Sequence, residues 1–220
     1  MNPTAAHIII AIDGPAASGK SSVARELARR LGFVYVNSGA MYRAMTWLVL
    51  ERGIAPSDVA AIERLAETAP LQCALRDRDS VILIDGADPE PYLREDRVNA
   101  NVSLVSSVPQ VREILVAQLR RYAETNDLVM EGRDIGSVVF PETPFKFYID
   151  ASPEIRLRRR EAQGQRDRVS ARDEADSSRR ASPLIIAEDA HVIDSSHLTI
   201  DGVVGEIVGR LKLKGLTIAQ

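Results

Sequence analysis

The stretch HIIIAIDGPAASGKSSVARELARRL, His7 to Leu31, decides the fold. His7 to Ile12 is an almost continuous apolar run stopped by Asp13-Gly14-Pro15, the pattern of a strand buried on both faces of a parallel sheet. From Lys20 to Leu31, Val23, Leu27, Ala28 and Leu31 recur at helical spacing. Between the two lies Gly14-Pro15-Ala16-Ala17-Ser18-Gly19-Lys20-Ser21, which fits GxxxxGK[ST] in its required strand–loop–helix setting.

Outward from this unit the same alternation continues. FVYV (33–36), DLVMEG (127–132), KFYID (146–150) and HVIDSS (191–196) read as strands. Helical patterns cover about 39–52, 57–68, 94–106, 108–122, 152–164 and 200–213. Strands alternating with helices predict an α/β fold: a parallel β-sheet core flanked by helices with right-handed crossovers. The pattern breaks between Leu71 and Leu93, where CALR and VILID alternate around a polar turn and Asp85-Gly86 marks another. This stretch predicts a small antiparallel insert. Cys73 alternates with Leu71 and Leu75 and reads as a buried strand residue.

Composition narrows the class. The chain has 220 residues, 45% of them hydrophobic and 27% charged, which fits one globular domain over 1–220. A net charge of -3 argues against a nucleic-acid polymer as partner. Arginine nevertheless outnumbers lysine, and arginine grips phosphate bidentately. One cysteine excludes an internal disulfide and suits a reducing cytosol, so the expected location is cytoplasmic. The N-terminal apolar run is too short for a signal peptide or membrane span, and the three histidines show no metal-ligand spacing.

The loop implies a nucleoside triphosphate. Gly14, Pro15, Ala16, Ala17, Ser18, Gly19, Lys20, Ser21 and Ser22 are the candidate ATP-binding residues. Backbone N–H groups face the phosphates, Lys20 reaches the β- and γ-phosphates, and the Ser21 hydroxyl can sit on Mg²⁺. The loop does not separate kinase, GTPase, motor or sensor, but no NKxD base-reading motif is present. Two further polar clusters end strands: Asn37-Ser38-Gly39 with Tyr42 and Arg43, and Glu131-Gly132-Arg133-Asp134. Ligands of open α/β sheets bind beyond the strands' carboxyl ends. These clusters therefore place Arg43 and Arg133 around the phosphate of an acceptor, in line with the γ-phosphate. The polar stretch at about 162–181, with Gly164 as hinge, reads as a short mobile lid bearing arginines.

Taken in order, IAIDGPAASGKSS, NSGAMYRA, VSLVSSVPQVRE, EGRDIGSVVFPE, RDEADSSRRASPL and DAHVIDSSHLTID make the chain resemble the bacterial-type cytidylate kinases, in the nucleoside monophosphate kinase group. The resemblance implies a P-loop kinase core whose insert, about 68–106, enlarges the monophosphate lobe. It implies transfer of the ATP γ-phosphate to CMP or dCMP, with Mg²⁺, and a base site from Ser103, Arg112, Asp134 and Arg179. Arg43 and Arg133 match the acceptor-phosphate arginines, and Arg172 and Asp176 match the pair that reads the sugar hydroxyls. Arg159 matches a lid arginine facing the ATP phosphates, with Arg156 and Arg160 also aligned. Lys20, Arg133 and Arg159 are thus the expected catalytic set, and a monomer is expected because such lobes move. The chain departs from the family at Asn37, where Asp is common, and in a shorter interval from Arg160 to Arg172. Asn37 carries no charge, so the acceptor site gains positive potential. Other readings of the residues are a kinase for UMP, AMP or shikimate, a non-catalytic nucleotide sensor, and RNA binding through the RLRRR helix.

Overall fold

The computed structural model describes residues 7–162, 173–174, 176–179 and 182–217. Most of the expected lid, with Gly164 and Arg172, lies outside the described residues. Seven strands form one sheet in the order β3-β4-β2-β5-β1-β6-β7. They are β1 (Ile9–Asp13), β2 (Val34–Asn37), β3 (Leu71–Arg76), β4 (Asp79–Ile84), β5 (Leu128–Gly132), β6 (Phe145–Asp150) and β7 (His191–Asp194). Every pairing is parallel except the β3/β4 hairpin. The helices are α1 (Lys20–Leu31), α2 (Ser38–Glu51), α3 (Val59–Thr68), α4 (Asp96–Val105), α5 (Pro109–Tyr122), α6 (Pro153–Ala162) and α7 (Ile200–Leu213). None is long and apolar enough to cross a membrane.

The sheet separates two apolar layers, because successive side chains of a strand point to opposite faces. Ile10 and Ile12 pack with Val23, Leu27, Phe147, Val204 and Ile207 beneath α1 and α7. Ala11, between them in β1, faces Met41, Met45, Ile62, Leu115 and Leu119 of α2, α3 and α5. Burial on both faces is why β1 and β5 read as continuous apolar runs.

The antiparallel insert is attached rather than detached. β4 extends the sheet beside β2 through Tyr35 and Asp79. The Tyr35 N–H donates to the Arg78 carbonyl at 2.9 Å, and the Asn37 N–H donates to Ser80 Oγ at 3.1 Å. The hairpin turns at Asp77 and Arg78, both with positive φ (50° and 72°), which matches the strand twist. Cys73 sits on this edge and is only half-buried, with Sγ 3.5 Å from Gln118 Oε1. The expectation of full burial fails because β3 has a neighbour on one side alone.

Two glycines show how tightly the strand ends are packed. A Cβ on Gly14 would lie 2.1 Å from the Ile149 carbonyl oxygen, and φ there is +153°. A Cβ on Gly132 would lie 2.5 Å from Ser38 Oγ. After Gly132 the chain makes a π-helical turn, Ile135–Val139, that periodicity does not announce.

Phe147, 2% exposed, bridges β6 to the α7 layer. Phe147→Ala is expected to lower unfolding free energy by about 3–5 kcal/mol in urea titration. A loss under about 1 kcal/mol would show that this layer is not close-packed.

Candidate active site

Three strands end at one level. Asp13 of β1 lies opposite Gly132 of β5, and Glu131 lies opposite Asn37 of β2. The phosphate loop, the Arg133-Asp134 turn and the start of α2 therefore leave the sheet side by side. They line one cleft of about 340 Å³ that includes Lys20, Ser21, Tyr42, Arg43, Arg133 and Asp134. That volume lies within the usual range for small-molecule sites, about 300–1,000 Å³.

In the phosphate loop, Ala17 (φ 60°) and Gly19 (φ 89°) adopt left-handed conformations. Such reversals turn successive N–H groups toward one centre, an anion nest. The carbonyls face the other way and are held from behind. Arg159 Nη1 donates to the Ser18 carbonyl at 3.1 Å, and Ser195 Oγ donates to the same oxygen at 2.8 Å. Arg159 also donates to the Ser195 carbonyl at 2.7 Å. Arg159 thus lies behind the loop and not on the cleft lining; its neighbour Arg160, 8% exposed, lines the cleft. Arg156 donates to the Ala16 carbonyl at 3.3 Å and pairs with Asp173, whose carboxylate accepts the Ala16 N–H at 3.0 Å. Lys20 Nζ donates to the Pro15 carbonyl at 2.9 Å. Ser21 Oγ donates to Glu131 Oε1 at 2.8 Å, with the Tyr35 hydroxyl 3.4 Å from the same oxygen.

On the other side, the Asn37 side chain caps α2 by accepting the Ala40 N–H at 3.1 Å. Ser38 Oγ donates to the Glu131 carbonyl at 2.8 Å, which spends its proton on fastening α2 to β5. Arg43 donates to the Gly39 carbonyl at 3.0 Å. Behind them two carboxylates organise the guanidinium groups. Asp134, 3% exposed, pairs with Arg112, which also stacks over the Tyr42 ring at 5.1 Å. Asp176, 2% exposed, accepts from Arg133 at 3.0 Å, from Ser103 at 3.0 Å and from Arg179. Ser103 does not line the cleft and meets it through Asp176.

Burial sets the protonation behaviour here. It pushes the Tyr42 phenol up to about 12, so this hydroxyl stays neutral and able to donate. It pulls Arg179 below the usual arginine value, against the attraction of Asp176. The Tyr42 hydroxyl, Arg112 Nε and Arg179 Nε are buried with no hydrogen-bond partner among the described residues. Each such donor costs about 1–3 kcal/mol, a cost a polar ligand in this half of the cleft would offset.

The sequence brings most of these residues to notice, Glu131 among them, but leaves three, Arg160, Asp173 and Asp13, without a settled part. Glu131 was visible as a carboxylate ending an apolar strand; the structure gives it the Ser21 hydroxyl. Arg160 faces the cleft because helix α6 presents that side, a choice made by packing. Asp173 lies in the charge-rich tract beside Arg172. Asp13 precedes the first loop glycine and, by sequence, marks only the end of the strand.

Sequence comparisons give the family. A family profile described as "Cytidylate kinase" matches residues 10–213. A cytidylate kinase of Rhodococcus opacus is 44% identical, covering 91% of this chain and 93% of its own length. One from Caldanaerobacter subterraneus is 44% identical over 90% and 92%, and one from Limosilactobacillus reuteri 40% identical over 90% and 92%. With a phosphate loop and an arginine-rich cluster lining one cleft, and a match over nearly the whole chain, this protein is an enzyme of the nucleoside monophosphate kinase group and belongs to the cytidylate kinase family.

Proposed function

We propose that this chain transfers the γ-phosphate of ATP to CMP or dCMP, giving ADP and CDP or dCDP. The observation that carries the reading is the shared cleft: phosphate-loop residues and the Arg43, Arg133 and Asp134 cluster line one cavity. In such a transfer an oxygen of the acceptor phosphate attacks the γ-phosphorus while the bond to ADP breaks. Positioning and positive charge supply most of the catalysis.

In this reading the loop from Gly14 to Ser22 holds the ATP phosphates, its N–H groups from Ala17 onward facing them. Pro15 has no N–H, and that of Ala16 goes to Asp173. Lys20 moves from the Pro15 carbonyl to the transferring group. Arg43 and Arg133 hold the acceptor phosphate, with Ser38 fixing the helix that presents Arg43. Asp134, Arg112 and Arg179, with the Tyr42 hydroxyl, recognise the base: a carboxylate accepts from the cytosine amine, and guanidinium groups donate to its carbonyl and ring nitrogen. Ser103 acts by orienting Asp176, and Asp176 with Arg172 reads the sugar. Arg159 supports transfer by holding the loop's carbonyls outward, and Arg160 is the α6 arginine nearest the moving charge.

The donor set suits Mg²⁺. Ser21 offers a hydroxyl and the Glu131 carboxylate stands behind it, hard oxygens of the kind this ion takes alongside phosphate oxygens and water. When bound with ATP, the ion neutralises developing charge on the phosphates. We further assign the chain as a single domain over 1–220, with a monophosphate lobe at about 68–106 and a lid at about 162–181. We assign it as a cytoplasmic monomer that binds neither nucleic-acid polymers nor membranes.

Lys20→Ala is expected to lower kcat by about 10²-fold or more while the calorimetric Kd for CMP changes by less than about threefold. Equal loss of both would remove Lys20 from the transfer step. Asp134→Asn is expected to raise the KM for CMP and narrow the CMP-to-UMP ratio by about tenfold. An unchanged ratio would take Asp134 out of the base site.

A further inference from the structure

We propose that Asp13 is a positioning residue for the acceptor: its carboxylate ties the turn bearing Arg133 and Asp134 to the first residue of the phosphate loop. The proposal rests on the assignment of that turn to the acceptor. Asp13 Oδ1 accepts the Ile135 N–H and Oδ2 the Gly136 N–H, each at 2.8 Å. The carboxylate is 6% exposed and lies one residue before Gly14. Gly136 packs closely here: a Cβ there would sit 3.1 Å from the Lys146 stem and in ordinary contact, 3.4 Å, with Asp13 Oδ2. This side chain therefore adds a direct link between the two halves of the cleft to the spacing that the β1–β5 pairing already sets. A small misplacement across such a gap is costly in phosphoryl transfer.

The charged surroundings fit this role. Lys20 at the start of α1 attracts the carboxylate, and Asp134 in the turn repels it. Tyr148 of β6 is opposite it in the sheet and stays neutral, its phenol pushed up to about 12. Lys146 of β6 directs its ammonium away, to Asp189 at 2.8 Å and the Pro141 carbonyl at 2.6 Å. On β5, the residue opposite is Gly132, and Glu131 turns to Ser21. Burial, the largest influence, pushes Asp13 up to about 7, against the pull of the two N–H groups.

Two pH trends of opposite sign follow. Above about pH 7 the ionised carboxylate accepts both N–H groups; below it, the proton turns one oxygen into a donor facing an N–H. Acceptor binding should therefore weaken as pH falls through this range. Stability runs the other way. A carboxyl whose folded value is raised favours the fold fully below its unfolded value of 3.8, and that contribution is lost as pH rises toward 7. A purely structural Asp13 would not improve acceptor binding over the range where its ionisation opposes folding.

The test compares KM for CMP and for ATP in the wild-type chain and in Asp13→Asn between about pH 5.5 and 8.5. The nucleotide phosphates titrate alike for both proteins, so the difference between them isolates Asp13. Asp13→Asn should raise the KM for CMP about tenfold at alkaline pH, leave the KM for ATP within about twofold, and flatten the extra step near pH 7. An identical step in the variant, or equal loss toward both substrates, overturns the proposal. Should the variant not fold, calorimetry of the wild-type chain with cytidine, which has no phosphate to titrate, decides. Its Kd should rise about fivefold between pH 8 and 6, and a flat Kd overturns the proposal. Arg133→Ala, run alongside, tests the underlying assignment separately: an unchanged KM for CMP would reject the acceptor site itself, whatever Asp13 does.

Discussion

The parallel pairing of β5 with β1 on one side and β2 on the other is the constraint from which the site follows. Its register puts Asp13 opposite Gly132 and Glu131 opposite Asn37. A one-residue slip would reverse every side chain between the two apolar layers, so burial of Ile10, Ile12, Val129 and Met130 fixes the register firmly. Three segments with different tasks then start at the same height. Their side chains need reach only across the cleft, and short residues such as Ser21 and Ser38 suffice to link them.

Electrostatic pairing completes what the register begins. Buried guanidinium groups are costly unless paired, and removing one partner of such a pair leaves an uncompensated charge. Here Asp134 holds Arg112, and Asp176 holds Arg133 and Arg179. These pairings hold the guanidinium groups in and around the cleft at fixed places, the pre-organisation that electrostatic stabilisation requires. The same logic explains Arg159. A guanidinium behind the phosphate loop fixes the carbonyls of Ala17 and Ser18 and leaves their peptide dipoles directed at the cleft.

Much of this was legible from the chain alone because the signals are local. Continuous apolar runs marked the parallel strands, Pro109 marked the first turn of α5, and GxxxxGKS carried its own strand and helix. What stayed hidden depends on partners far away in sequence. The π-helical turn at Ile135–Val139 is shaped by Asp13, more than a hundred residues earlier. Whether Arg159 or Arg160 faces the cleft depends on the rotation of α6 against β7 and its following loop, which spacing within RLRRR does not encode. The hairpin's attachment to β2 rests on the Tyr35 N–H, given to the Arg78 carbonyl, and the Asn37 N–H, given to the Ser80 hydroxyl, pairings that leave no mark in composition.

The most direct measurement is steady-state release of ADP from ATP and Mg²⁺ with CMP, dCMP, UMP, AMP and shikimate supplied one at a time. A cleft built around Asp134, Arg112 and Arg179 should turn over CMP and dCMP strongly, UMP weakly and the others not at all. Turnover of AMP or shikimate in preference to CMP, or of no acceptor at all, would contradict the assignment of this cleft to a cytidine monophosphate.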